Sequence, residues 1–248
     1  AAEVRGAWDA RLEALVVDAV IRGDADESVV SRASTLGWSS PEGIAVVIGA
    51  TPADPGQAIE TIRQIAGRHG CDVLAAPQGD RLVVVVGGGL ESMDDLSRLV
   101  GEFDSQFGPG HVVIGPVVDN LSDAARSARA ALSGLRAAHA WPDAPRPVAS
   151  VDLLPERVLA GDGHARRLLA TEVYAPLVAA GGDLAATLDE FLAQGGSVEA
   201  TARARYIHAN TVRYRLRRIQ EITGYAAGDP REAYVLQLSL TLGRLLSH

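Results

Sequence analysis

The stretch Ser197–Gln220, SVEATARARYIHANTVRYRLRRIQ, constrains the fold of this chain more than any other. Within it Val212, Leu216 and Ile219 recur at i, i+4 and i+7, the spacing of one buried stripe on a helix. At about 100° per residue, Asn210, Arg213, Tyr214 and Arg217 fall on the opposite side of that helix. The segment holds six arginines (Arg203, Arg205, Arg213, Arg215, Arg217 and Arg218) against one acid, Glu199. Its local charge is +5 in a chain of formal net charge −8, so the remaining 224 residues sum to −13. A basic segment set in an acidic chain is an electrostatic footprint, and polyphosphate is the partner it fits.

The residues ahead of that helix complete a helix-turn-helix. Ser197 is a good N-cap, with Glu199 in the first turn facing the positive helix end. Val198 to about Ala204 is short enough to be the supporting helix, and Arg205 to Ile207 the tight turn, with Ile207 plugging the angle between the helices. His208 stands where the recognition helix needs its cap. Ala209, Asn210 and Thr211 then form the first turn, the part that enters the major groove in this motif. A further helix, about Asp183 to Gln194, precedes the pair, with Leu184, Leu188 and Leu192 on one face and Gly195-Gly196 closing it. The bland alternative is a solvated arginine-rich helix on a bundle. The short supporting helix, the turn and the polar first turn occur together, and this favours DNA recognition.

These residues carry a family resemblance. Thr187 to Leu246, and above all the string HANTVRYRLRRIQEITG, resembles the C-terminal helix-turn-helix domain of the purine-catabolism and sugar-diacid (PucR/CdaR) family of bacterial transcription regulators. Ala10 to Trp38, with RGDADESVVSRASTLGW, is similar to the helical lead-in of that family. The resemblance implies a cytoplasmic regulator of a catabolic or metabolic operon, with a double-stranded DNA operator as partner and a small-molecule effector as a further one. Such proteins carry an N-terminal sensing domain, and none is evident in this chain.

Composition narrows the alternatives. The 248 residues can hold two domains, and 47% hydrophobic content is ample for their cores, although aromatics are only 4%. No apolar run approaches the roughly 20 residues of a membrane helix. Ala1–Arg11 has mixed charge and no apolar core, so a signal peptide is not expected there. Cys71 is the single cysteine, which rules out an internal disulfide and a cysteine zinc cluster. All 23 basic residues are arginine, so neither a P-loop lysine nor a Schiff-base lysine exists. The six histidines (69, 111, 139, 164, 208 and 248) never pair at metal-ligand spacing, and neither metal nor cofactor is expected.

The rest of the chain divides by texture. Residues 1–40 read as a helical lead-in, with helices over Trp8–Val20 and Asp24–Leu36. Residues 41–141 read as an α+β domain. There GIAVVIGA (43–50) is a strand, Pro55–His69 a helix, and Asp72–Ala76 and Arg81–Val86 two strands joined by Pro77-Gln78-Gly79-Asp80. A helix Ser92–Phe107, a strand His111–Val118 and a helix Leu121–His139 complete a β-α-β-β-α-β-α order, expected as a sandwich with helices on one face of the sheet. The prolines of WPDAPRPVAS mark 142–153 as a linker. Residues 154–248 read as all helical, with the helix-turn-helix at about 197–222 and a last helix from Asp229-Pro230 to Leu246. The fold class is thus α+β, an α/β sandwich followed by an all-α domain.

The strand order adds a second resemblance, to the degenerate GGDEF-like domain of the same regulators, itself similar to nucleotide cyclases. A cyclase needs an acidic metal ligand at the end of its first strand, because divalent ions neutralise the triphosphate. Ile44 to Ala53 contains no acid. The signature hairpin falls on Gln78-Gly79-Asp80-Arg81-Leu82, where glutamine replaces the first glycine and Arg81 the key acid. A nucleotide-binding or cyclase-like module is therefore the weaker alternative, as is a helical protein-interaction module. Gly87-Gly88-Gly89 lacks the spacing and the lysine of a phosphate loop and reads as a strand exit.

The residues expected at base edges are Asn210, Thr211, Arg213 and Arg217. Arg203, Arg205, His208, Tyr214, Arg215 and Arg218 are expected at phosphates or on the fold side, with Arg215 nearest the buried stripe. A homodimer would set two recognition helices about 34 Å apart on a pseudo-palindromic operator. No catalytic residue is expected. Trp8, Trp38 and Trp141 read as core or interface anchors. The last helix carries a stripe of Val235, Leu238, Leu242 and Leu245, with Leu236, Leu240 and Leu246 adding apolar surface outside it, and part of this surface, or the GGDEF-like sheet, is expected to form a subunit contact.

Overall fold

The computed structural model describes residues 2–39, 42–89 and 92–246, and of residues 2–7 the backbone only. It divides into two compact units, Ala1–Glu156 and Arg157–His248. His248 lies outside the described residues.

The first unit is built on a five-stranded sheet of order β2-β3-β1-β4-β5. Its strands are β1 (Ile44–Ala50), β2 (Asp72–Gln78), β3 (Arg81–Gly87), β4 (Val113–Ile114) and β5 (Val148–Ala149). β1 lies antiparallel between β3 and β4, β2 pairs antiparallel with β3, and β5 joins β4 in parallel. Both central runs, IAVVIGA and RLVVVVG, are apolar at nearly every position, and successive side chains of a strand point to opposite faces. Both faces must therefore be covered. Ile44, Val46, Ile48, Val83 and Val85 meet α1 (Ala2–Arg22), α2 (Glu27–Thr35) and α5 (Ala124–Ala137). Ala45, Val47, Leu82, Val84 and Val86 meet α3 (Pro55–Arg68) and α4 (Met93–Phe103). The expectation of helices on one face is thus corrected to helices on both, and the reason was present in the unbroken apolar strands.

Two further boundaries moved. The strand expected over His111–Val118 keeps only Val113–Ile114 in the ladder, with an isolated bridge from Val118 to Ile44. Pro116 has no N–H to donate, and Gly115 sits where a Cβ would lie 2.2 Å from the Ser127 carbonyl oxygen. Only glycine lets α5 approach this closely. Ser127 in turn accepts a 2.9 Å hydrogen bond from the buried Val46 amide, tying α5 to β1. Residues 142–153, expected as a linker, instead supply β5, which hydrogen-bonds to β4 through Val148 N to Val112 O (2.9 Å) and Ser150 N to Ile114 O (2.7 Å).

The lead-in helices belong to this unit. Glu13 on α1 is buried and accepts from the Ala75 amide of edge strand β2 (2.7 Å), while its other oxygen pairs with Arg63 of α3. An edge amide that would template foreign strands is thereby occupied. Asp26 caps α2 through the Val29 amide at 3.0 Å; the Ser28 hydroxyl, with that amide, holds its carboxyl below the usual carboxylate range. Trp38 is buried in this layer, whereas Trp8 is exposed.

The second unit is helical, and its boundary with the first falls within α6 (Leu154–Leu159). Arg157 is buried and grips Asp162 through Nε (3.0 Å) and Nη2 (2.9 Å), while the other oxygen of Asp162 caps α7. The helix expected over Gly163–Ala179 is continuous but not uniform. α7 (Gly163–Leu168) and α8 (Ala175–Ala179) are joined by a π-helical turn, Leu169–Tyr174. That turn aims the Tyr174 ring at Gly243, where a Cβ would lie 2.0 Å from a ring carbon. Gly243 lies on the last helix, α12 (Pro230–Leu246). There Val235, Leu236, Leu240 and Leu242 are all buried, whereas Leu245 and Leu246 are exposed. Leu236 and Leu240, expected as spare subunit surface, are absorbed by the unit's own core.

Candidate DNA-binding site

Three helices hold the site: α9 (Leu184–Ala193), α10 (Val198–Arg205) and α11 (Ala209–Thr223). Their limits follow from caps. The Ser197 hydroxyl accepts from the Ala200 amide at 3.2 Å and starts α10. Tyr206, at φ 53°, ends it in a left-handed conformation. His208 starts α11 through Nδ1, which accepts from the Asn210 amide at 3.1 Å. Gly224, at φ 77°, closes α11 with its N–H on the Gln220 carbonyl.

Burial sorts the two sides of α11. Val212 and Ile219 are fully buried, and Leu216 is half-buried beside them. Asn210, Arg213, Tyr214, Arg217 and Arg218 are exposed, and Thr211 is half-buried in the first turn. Ile207 is half-buried in the turn. A solvated helix packed on a bundle would show the same division; what is added here is the Ser197-capped supporting helix α10 and the turn that leads into α11.

Hydrogen bonds divide the arginines into three groups. Arg213 is held on the polar face, donating through Nη1 to Asn210 Oδ1 (3.1 Å) and through Nη2 to Glu199 Oε1 (2.9 Å). Arg203 and Arg217 make no ion pair among the described residues, and Arg218 pairs along its own helix with Glu221 at 2.9 Å. Arg205 and Arg215 turn toward the fold. Both reach Asp183 Oδ2, at 3.7 and 3.6 Å, and Arg215 also donates to the buried Thr187 hydroxyl at 2.9 Å. Arg205 Nε is buried without a hydrogen-bond partner. Of the two roles weighed for Arg205, the geometry carries the fold-side one and gives no support to a turn-mounted phosphate contact.

Sequence reasoning missed Asp183 and Tyr206. Asp183, expected as the first residue of a helix, precedes α9 at φ 58° and caps nothing with its side chain. Its carboxylate serves two arginines that lie 22 and 32 residues later. No periodicity signals such a contact.

In the sheet unit the hairpin between β2 and β3 places Gln78 opposite Arg81 across a turn of Gly79 and Asp80. Cys71 is buried, its thiol donates to the Gly88 carbonyl at 2.9 Å, and burial pushes its pKa up. Among the described residues no group of three His, Cys, Asp or Glu side chains is placed to hold a metal ion, and no helix is long and apolar enough to cross a membrane.

Comparison with known proteins agrees with this architecture. Residues 22–137 match the GGDEF-like domain family, and residues 184–242 match the PucR C-terminal helix-turn-helix domain. An uncharacterized protein of Mycobacterium tuberculosis is 44% identical over 255 residues, covering 99% of this chain and 61% of that protein. The chain therefore spans about three fifths of the length of its mycobacterial relatives. The purine catabolism regulatory protein of Bacillus subtilis is 38% identical over 61 residues, 25% of this chain and 12% of that one. Among solved structures, a regulator of polyketide synthase expression from Bifidobacterium adolescentis superposes with a TM-score of 0.76 at 31% identity, covering 96% of this chain and 94% of that one. The chain thus joins a GGDEF-like sheet domain to a PucR-type helix-turn-helix domain. The chain belongs to the PucR family.

Proposed function

We propose that this chain regulates transcription by sequence-specific binding to double-stranded DNA in the cytoplasm, as a homodimer, at an operon of catabolism or metabolism. The observation that carries the reading is the division of α11. Its one side is buried through Val212 and Ile219, and its other presents Asn210, Arg213, Tyr214 and Arg217 to solvent. The Asn210 amide matches the N6 and N7 edge of adenine, and arginine forks match O6 and N7 of guanine. His208 and Thr211 stand at the helix N-terminus, where a phosphate meets the exposed amides and the positive end of the dipole. The names of the Bacillus and Bifidobacterium relatives support an operon of purine catabolism or polyketide synthesis as the kind of target. A small-molecule effector completes the proposal, as the family resemblance implies.

The sheet domain is read as non-catalytic, because Arg81 and Gln78 occupy the hairpin where a cyclase carries its acidic signature. Incubation with a nucleoside triphosphate and magnesium should give no turnover, and cyclic or linear dinucleotide product would reverse this.

The test of the main reading is a titration against random-sequence duplex over a range of salt, followed by genomic footprinting of the full-length native protein. Binding that weakens steeply with salt, and footprints that share a two-fold motif, are expected. Salt-insensitive or absent duplex binding would shift the arginine face to a role in protein interaction.

A further inference from the structure

Among the described residues Tyr206 is the most exposed large apolar side chain, at 96% of its full accessibility, and it stands in the turn between α10 and α11. Its backbone is left-handed, at φ 53°, a conformation unfavourable for any residue with a Cβ and natural to glycine. Its N–H closes α10 on the Ala202 and Arg203 carbonyls, so the turn requires this backbone geometry. Nothing in the fold requires the tyrosine side chain. The ring covers no core, and glycine would make the same turn with less strain. Two unfavourable choices at one position, an exposed aromatic and a strained backbone, point away from stability and toward a contact made by the side chain itself.

The surroundings identify the chemistry. Arg203 and Arg205 precede Tyr206, and His208 follows it at the cap of α11. A phenol projecting from a turn in a +5 segment suits a polyanion better than an apolar protein surface. We propose that Tyr206 donates its hydroxyl to a DNA phosphate beside the recognition helix, fixing the helix in the groove without reading sequence; this rests on the DNA-binding reading above. The bond is neutral to charged, so it adds affinity but releases no counterion.

The chain as described, with Tyr206→Gly, Tyr206→Phe and Arg203→Ala variants, is titrated by fluorescence anisotropy against random-sequence duplex at four salt concentrations, with thermal melting in parallel. Tyr206→Gly should raise Tm by roughly 4–8 °C through relief of the strained backbone. The same variant should weaken duplex binding by roughly tenfold, the loss expected for a hydrogen bond to a charged group, with an unchanged salt slope. Tyr206→Phe should show the same loss in affinity, since it removes only the hydroxyl. Arg203→Ala should instead flatten the slope. If wild-type protein binds the duplex and both Tyr206 variants bind it equally well, the inference fails alone. It also fails if Tyr206→Gly loses both Tm and affinity while Tyr206→Phe loses neither, which would assign the side chain to the fold. If wild-type protein does not bind duplex at all, the DNA-binding reading fails and takes this inference with it.

Discussion

If α11 binds DNA as proposed, Arg213 is a single side chain already held for that task. Free of DNA, it is held by Glu199 on α10 and Asn210 on its own helix, so its fork projects from the polar face in one pose. Both partners are exposed, and an exposed ion pair contributes only about 0.2–1 kcal/mol. A guanine or a phosphate can therefore displace Glu199 at small cost. Glu199→Gln should keep the pose through a neutral hydrogen bond, remove a carboxylate that repels the DNA, and raise duplex affinity by roughly two- to fivefold. Anisotropy titration at low salt reads this; a weaker complex would mean that the charge of Glu199 is what keeps Arg213 aligned. Arg203 and Arg205 make a second comparison. Arg203 is exposed at the end of α10, and its change to alanine should reduce the salt slope by about 1, one phosphate contact's worth. Arg205 is turned onto Asp183, and Arg205→Ala should leave that slope unchanged while lowering Tm. The sequence places both arginines in one basic cluster, and only Asp183, more than 20 residues upstream, separates their roles. The polar face of α11 was legible because helical spacing is a local property. The fate of Arg205 was not, because it depends on a partner brought in by the fold.

Elements were legible where their ends are written in cap residues. Ser197 and His208 each cap as their side chains require, and α10 and α11 begin where those residues dictate. The sheet was less legible. Its central strands are apolar throughout, a pattern that already demanded helices on both faces, and Gly115-Pro116 already demanded a break in β4. The π turn had no comparable signature, since LATEVY fits an ordinary helix. Its consequence is Tyr174 against Gly243. Gly243→Ala forces a methyl into the ring and should destabilise the helical unit by about 1–3 kcal/mol, the ordinary range for overpacking. Chemical denaturation followed by circular dichroism measures it; an unchanged midpoint would show that α12 slides freely past the turn. On the sheet side, Ser127→Ala removes the acceptor of the buried Val46 amide. The cost should be about 1–3 kcal/mol, that of a buried donor left unsatisfied. Tryptophan emission is the natural probe, because Trp8, Trp38 and Trp141 all lie in the sheet unit.

At the scale of the whole molecule the charge is sorted by unit. The sheet unit has 22 acids against 12 arginines, a net of −10, and the helical unit nine acids against 11 arginines, a net of +2. On the proposed reading, affinity for DNA must come from the local cluster on α10 and α11, since the chain as a whole repels a polyanion. Only four of the six cluster arginines (Arg203, Arg213, Arg217 and Arg218) face solvent. If Arg213 and Arg217 read bases, Arg203 and Arg218 remain for phosphates. Two phosphate contacts per chain give a slope of log affinity against log salt near −2 for a single chain, and near −4 for a dimer engaging both half-sites. Non-specific binding in this salt range would be weak for one chain, which is the physical reason to expect two. The salt slope on a footprinted operator therefore counts chains. It should lie near −4, and sedimentation of the same complex should give two chains per duplex. A slope near −2 with one chain bound would remove the homodimer from the proposed function and leave DNA recognition intact. A slope near −4 with one chain bound would mean instead that Arg213 and Arg217 grip phosphates, and the assignment of base-reading residues would fall to Asn210 and Thr211.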